Sequence, residues 1–267
     1  MTEYHDLISI IMGVYNAEDT LRPAINSIID QTYSNWELII CDDGSTDSSF
    51  QIAQGFIDER IVLIKNEHNK GLGYTLNKCI DLAKGSYIAR MDADDISMPD
   101  RLRRELTFLL EHPEFDVVSS STIKFDDTCD NLYVKPVIEI PEPKDFIIGN
   151  PVVHPACMVR RECLDAVGGY NESEETLRVE DIDLWIRLLT KQYRVYNISE
   201  PLHKIRFDYK TLERQKLKYR WRGTLVRLRG CKKLNLPFKY YILSFRTFLI
   251  GLIPPHLRYR LHILMKR

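Results

Sequence analysis

The chain has 267 residues, 44% of them hydrophobic and 28% charged, which excludes wholesale disorder and allows one large domain or two small ones. Its formal net charge of −1 conceals an asymmetry: residues 1–203 carry 19 Lys+Arg against 36 Asp+Glu, a net −17, whereas residues 204–267 carry 18 against 2, a net +16. An acidic body joined to a basic tail points to an anionic partner for one end, and no uncharged apolar run reaches the roughly 18 residues of a transmembrane helix.

The polar, acidic Met1–Asp6 has no basic n-region and is not expected to be a secretory signal. Leu7–Val14 (LISIIMGV) is a short apolar run, the pattern of a buried strand. Ala17–Gln31 follows with Leu21, Ala24, Ile25, Ile28 and Ile29 at helical spacing. Trp36–Cys41 predicts a second strand, Ser48–Ile57 a helix, Ile61–Ile64 a third strand and Gly73–Ala83 a helix ended by Gly85. Tyr87–Met91 is a fourth strand, Pro99 leads into a helix over Arg101–Leu110, and Val117–Ser119 closes the series. The alternation predicts a mostly parallel α/β sheet with flanking helices. Pro136, Pro141, Pro143, Pro151 and Pro155 interrupt 121–160, which predicts irregular or antiparallel excursions, and Asp181–Thr190 returns to helix.

Ligands of open α/β sheets bind beyond the carboxyl ends of the strands. Asp42-Asp43 follows the second strand there, Asp92-Ala93-Asp94-Asp95 follows the fourth, and Glu180-Asp181 opens a later helix. Aspartate is also common in turns and helix caps, so each cluster alone has an ordinary explanation. Three carboxylates within four residues repel one another, and a divalent cation removes the conflict; oxygen-only donors suit Mn²⁺ or Mg²⁺ and leave positions for a diphosphate. There is no GxxxxGK[ST], GxSxG or HExxH, and Gly71-Leu72-Gly73 reads as a turn before a helix rather than a dinucleotide loop. The six cysteines lack CxxC spacing, which argues against a zinc site or disulfide scaffold and fits a reducing cytoplasm.

Three segments in order, Ser9–Ser49, Asn69–Leu102 and Val179–Trp185 (VEDIDLW), resemble family 2 glycosyltransferases of the GT-A fold, the inverting, DxD-containing type of bacterial polysaccharide biosynthesis. The resemblance implies a GT-A domain over 1–203, with a nucleotide-binding half over about 1–120 and an acceptor-binding half over about 121–203. It implies that Tyr15 flanks the uracil of a UDP-sugar, that Asp43 bonds the base, and that Asp92 and Asp94 form the DxD element. Asp94 is then the direct ligand of Mn²⁺ or Mg²⁺, with Asp92 nearer the ribose and diphosphate. Asp181 would be the catalytic base, with Glu180 its rival. Gly13 stands where many members have Pro, and Leu76 where some carry Arg, which makes Arg206 a candidate cation for the diphosphate. His154 and Trp185 are candidates for touching acceptor or sugar, each with a structural alternative, and His203 is a weak candidate for an extra metal ligand. A nucleotidyltransferase and a non-catalytic sugar-nucleotide or glycan-binding module are the rival readings.

The tail mixes cations with bulky apolar residues: Tyr219, Trp221, Leu225 and Leu228 among Lys216, Lys218, Arg220, Arg222, Arg227 and Arg229, then an apolar block from Tyr240 to Ile253, then the basic His256–Arg267. Basic amphipathic segments of this kind lie on anionic bilayers, each cation adding about 1 kcal/mol. The expectation is a cytoplasmic enzyme, peripheral on the inner face of the membrane, acting on a glycan or lipid-linked acceptor. The tail could instead pack on the acidic body; no recognisable module suggests nucleic acid.

Overall fold

The computed structural model describes residues 5–126, 129–130, 132–207 and 216–254. The first half builds the expected parallel sheet: β1 (Ile8–Val14), β2 (Trp36–Asp42), β3 (Ile61–Lys65) and β4 (Tyr87–Asp92), with β1 between β2 and β4 and β3 outside β2. Helices α1 (Leu21–Ile29), α2 (Ser49–Gln54) and α3 (Leu72–Leu82) connect them. The strands have apolar residues on both faces because both faces are covered. Ile8, Ile10, Met12, Trp36, Leu38, Ile40, Tyr87, Ala89 and Met91 join one core with α1 and α4 (Arg101–Glu111). Ile11, Ile39, Cys41 and Ile88 join a second core with α3 and with α7 (Glu180–Thr190). Strand periodicity therefore puts Arg90 and Asp92 on the face of Ile88, the face that α7 covers.

Gly13 sits at a close approach of α3 to β1. A Cβ there would lie 3.0 Å from Leu72 Cδ1 and 3.2 Å from Thr75 Cγ2, so the missing side chain lets α3 approach β1.

Beyond β4 the chain turns through Asp94 and Asp95 into the two-residue β5 (Ile96–Ser97). The strand expected over Val117–Ser119 is longer, β6 (Val117–Phe125). Its apolar signal stops at Val118 because the next residues, Ser119 to Thr122, are buried polar side chains held inside the sheet. The proline-rich stretch supplies the expected excursions: β7 (Tyr133–Lys135) antiparallel to β6, α5 (Pro143–Ile148), and β8 (Cys157–Arg160) antiparallel to both β4 and β6. Helix α6 (Arg161–Val167) follows. Strand β9 (Val195–Arg206) runs parallel to β6, continues past residue 203, and pairs with β5 through Lys204 and His203.

The described part of the tail forms α8 (Leu217–Lys233), α9 (Phe238–Leu243) and α10 (Arg246–Gly251). Helix α8 packs on α7: Val226 and Cys231 form a small core with Ile147, Val179 and Ile186. A Cβ at Gly230 would lie 2.7 Å from Ile186 Cδ1, so this glycine sets the helix spacing. Arg222 and Arg229 pair with Glu174 at 2.9 Å and Glu175 at 2.5 Å. The alternative in which the tail packs on the acidic body thus holds for α8. The basic stretch His256–Arg267 lies outside the described residues. No helix among the described residues is long and apolar enough to cross a membrane.

Candidate active site

The carboxyl ends of β1, β2 and β4 carry the candidate nucleotide side. Tyr15 leaves β1 with 47% of its surface exposed. The loop after it is fastened to the loop after β2: Asn16 N–H donates to Ser45 Oγ (3.0 Å), Thr46 N–H to Asn16 Oδ1 (2.9 Å) and Ala17 N–H to Ser49 Oγ (2.8 Å). Asp43 is buried and accepts from Asn66 Nδ2 (2.8 Å), Lys70 N–H (2.8 Å) and Gly71 N–H (2.9 Å). One carboxylate thereby ties together the ends of β2 and β3 and the start of α3.

The cluster after β4 is less frustrated than its spacing suggests. Asp92 pairs with Arg90, a buried guanidinium on the same strand face. Burial alone would weaken that cation, but the Asp92 carboxylate more than offsets this and holds it above the ordinary arginine range. Asp95 is buried, accepts from Arg206 N–H (3.0 Å) and lies 3.1 Å from His203 Nε2. Burial, reinforced by the Asp92 charge, pushes the Asp95 carboxyl up to about 7. Asp94 is half-buried on the turn between them. The repulsion anticipated from three adjacent carboxylates is therefore met in part by Arg90 and His203.

His203 does not have the free ring nitrogen of a metal ligand. Its Nδ1 is 3.2 Å from Arg101 Nη1, and since a guanidinium only donates, Nδ1 accepts and Nε2 carries the proton toward Asp95. Arg101 also binds Glu105 (3.1 Å) and the Arg90 carbonyl (2.8 Å), all in the interior. Among the described residues no three His, Cys, Asp or Glu side chains converge as a metal centre.

The ED pair opens α7. Asp181 is half-buried, and its carboxylate accepts from Asn150 Nδ2 (2.6 Å) and Ile182 N–H (2.8 Å). Burial raises its affinity for a proton; the Ile182 N–H, the charges of Arg227 and Arg90, and Asn150 act the other way. Glu180 is 6% exposed, burial raises its carboxyl as well, and its Oε1 has no hydrogen-bond partner among the described residues. The Arg90 charge thus acts on Asp92, Asp95 and Asp181, which joins the two acidic motifs through one buried cation.

Two candidates take the structural side of their alternatives. His154 is buried, with Nε2 2.8 Å from the Tyr170 hydroxyl, and burial aided by the Arg90 charge drives it well below the ordinary histidine range. Trp185 is 1% exposed, packs edge-on against His154 and belongs to the α7 core, so it offers no ring face to a sugar. Arg206 is anchored at the site through its backbone bond to Asp95, while its guanidinium lies 4.9 Å from the Phe125 ring centroid.

The buried Arg90, and the Arg101–Glu105 pair that links to Asp95 through His203, were not anticipated. The available signal was weak: one arginine in the otherwise apolar strand Tyr87–Met91. A cavity of about 840 Å³ lined by His5, Tyr33, Arg103, Arg104 and Tyr196 contains none of the candidate residues. It opens near the amino ends of β1 and β2, the end of such sheets opposite the ligand crevice.

Comparison with known proteins bears on the family and the fold. The family described as glycosyl transferase family 2 matches residues 9–168. The putative glycosyltransferase EpsE of Bacillus subtilis (strain 168) is 38% identical over 259 residues, covering 96% of this chain and 92% of its own. The UDP-Glc:alpha-D-GlcNAc-diphosphoundecaprenol beta-1,3-glucosyltransferase WfaP of Escherichia coli is 31% identical over 194 residues, 73% of this chain and 74% of its own. Among solved structures, S. aureus TarS 1–349 in complex with UDP superposes with a TM-score of 0.66 at 17% identity, over 92% of this chain and 70% of that one, a likeness of fold.

Proposed function

The chain belongs to glycosyl transferase family 2 and is a glycosyltransferase of bacterial polysaccharide biosynthesis, and from that premise we propose that it transfers a hexosyl unit from a UDP-sugar to a hydroxyl of a glycan or lipid-linked glycan, with inversion. The observation that carries this reading is that α7, which opens on Glu180-Asp181, covers the face of β4 that carries buried Arg90 and its ion-pair partner Asp92. One motif is suited to the leaving group and the other to the nucleophile. The names of WfaP and of the TarS–UDP complex support a uridine diphosphate donor and, for WfaP, a diphosphoundecaprenol-linked acceptor.

At the uracil end, exposed Tyr15 flanks the base. Asp43 uses three of its roughly four acceptor positions on the protein and offers the last to the base. Asp92, at the end of β4, and Asp94, on the turn after it, are hard oxygen donors fitting Mn²⁺ or Mg²⁺, which when bound would neutralise charge on the departing diphosphate. Arg206 is the protein's own cation beside that turn.

Asp181, more accessible than Glu180, takes the proton of the acceptor hydroxyl. The acceptor oxygen forms its bond to the anomeric carbon as the bond from that carbon to the diphosphate oxygen breaks, and UDP leaves with the electron pair. The anomeric carbon passes through an oxocarbenium-like state. A single base opposite the leaving group gives direct displacement, so an α-linked donor yields a β-linked product.

The membrane reading concerns the outer part of the tail. Phe238, Ile242, Leu249 and Leu252 are exposed beside Lys239 and Arg246, a combination suited to an anionic inner-leaflet surface. Flotation with anionic liposomes, full-length against a truncation before Lys239, tests it, and equal binding by both would refute it. The catalytic reading is tested by UDP release from a panel of UDP-sugars, with and without Mn²⁺, against pyrophosphate release from nucleoside triphosphates. Metal-dependent UDP release is expected; pyrophosphate release alone would assign a nucleotidyltransferase.

A further inference from the structure

Arg227 sits among the tail cations that the sequence assigns to a bilayer, yet it is 4% exposed. It lies beside Val226 on the face of α8 that packs against Val179 and Ile186 of the α7 region. Its Nη1 donates to the Gly223 carbonyl of its own helix (3.3 Å), and its Nη2 reaches the Gly149 carbonyl (3.2 Å). The next residue, Asn150, donates from Nδ2 to Asp181 Oδ2 at 2.6 Å. Arg227 Nε has no hydrogen-bond partner among the described residues. A guanidinium held this way is costly to bury and needs a nearby anion.

We propose that Arg227 is a positioning residue for the Asp181 carboxylate, its charge and its grip on the Gly149–Asn150 backbone making α8 a working part of the active site. The inference rests on Asp181 being the base. The influence is reciprocal: burial lowers the Arg227 guanidinium to about 10, with the Asp181 charge opposing it, and the Arg227 charge favours ionised Asp181.

Several other charged groups of the surrounding elements have partners of their own, among them Arg246, whose Nη1 donates to the Ile148 carbonyl (3.2 Å), while Arg178 acts on Glu180. Lys144 and Asp145 of α5 are engaged with Glu142, Arg161 pairs with Asp165 on α6, and Asp183 pairs with Arg187 on α7. On α8, Arg222 and Arg229 pair with Glu174 and Glu175, and Arg220 donates to the Thr247 carbonyl. The charge of Asp181 also acts on Glu180 and on the buried phenol of Tyr170, and Arg90 of β4 is the second cation acting on Asp181.

The test is a ¹³C titration of the full chain labelled at aspartate carboxyls, with the Asp181 resonance assigned by its absence in Asp181→Asn. Arg227→Gln keeps a polar, uncharged side chain and removes the charge; Arg227→Lys keeps the charge. The Asp181 titration midpoint should rise by about one pH unit in Arg227→Gln and stay within about 0.3 unit of wild type in Arg227→Lys. The acidic limb of the rate profile for UDP release should follow. An unmoved midpoint in Arg227→Gln, or equal shifts in both variants, would overturn the proposal. The titration is read whether or not Asp181 is the base. Full turnover by Asp181→Asn would instead sink the base assignment.

Discussion

Arg101→Met breaks a buried ion pair without creating a large void. Arg101 and Glu105 are both fully buried, and Arg101 also serves His203, the Arg90 carbonyl and, at 3.3 Å, the Cys157 carbonyl. Removing one partner of such a pair costs about 3–5 kcal/mol, because the other is left in the interior without compensation. Glu105 limits that cost by taking a proton: burial, resisted by Arg101, already pushes it up to about 7. At an unfolding entropy of about 2.1 cal/mol/K per residue over 267 residues, 4 kcal/mol corresponds to a fall in Tm of about 7 °C. The assay is thermal unfolding by circular dichroism at pH 8, with Arg101→Met, Glu105→Leu and the double variant forming a cycle. The double variant should melt above Arg101→Met, since it no longer strands a carboxyl. A single variant within 1 °C of wild type, or a double variant with the two losses simply added, would refute the reasoning.

Asp181→Asn should lower kcat for UDP release by about 10²–10⁴ with little change in the KM for donor, checked by steady-state kinetics. The base works ionised and burial raises its proton affinity, so activity should fall as pH drops toward a midpoint above the ordinary aspartate value; a pH–rate profile measures it. Asp94→Ala should abolish the response to added Mn²⁺ or Mg²⁺, and chelation of wild type should remove activity that either ion restores. Gly230→Val should force α8 away from Ile186, lowering Tm and opening the tail to limited proteolysis.

The first half of the fold could be read from apolar runs and turn residues because both faces of β1, β2 and β4 are covered, so burial leaves a local trace. The carboxyl-end positions of Asp43 and Asp92 followed from that. Arg90 was not legible, because its meaning depends on α7 lying over its face of β4, more than eighty residues away in sequence. The Glu105–Arg101–His203–Asp95 chain was hidden for the same reason: its members come from α4, β9 and the turn after β4, and no local spacing joins them. The packing face of α8 was not legible either. Its large apolar residues Trp221 and Leu225 are 42% and 37% exposed, whereas the face that packs on α7 is built from Gly223, Thr224, Val226, Arg227, Gly230 and Cys231. Small residues and one buried arginine make that face, and hydropathy alone does not single them out.

The anomeric configuration of the product tests the central claim most directly. The enzyme would be given its preferred α-linked UDP-sugar and acceptor, and the new linkage read by nuclear magnetic resonance. Displacement by an acceptor hydroxyl activated by Asp181 predicts a β-linkage. An α-linked product would contradict a single-base inverting site.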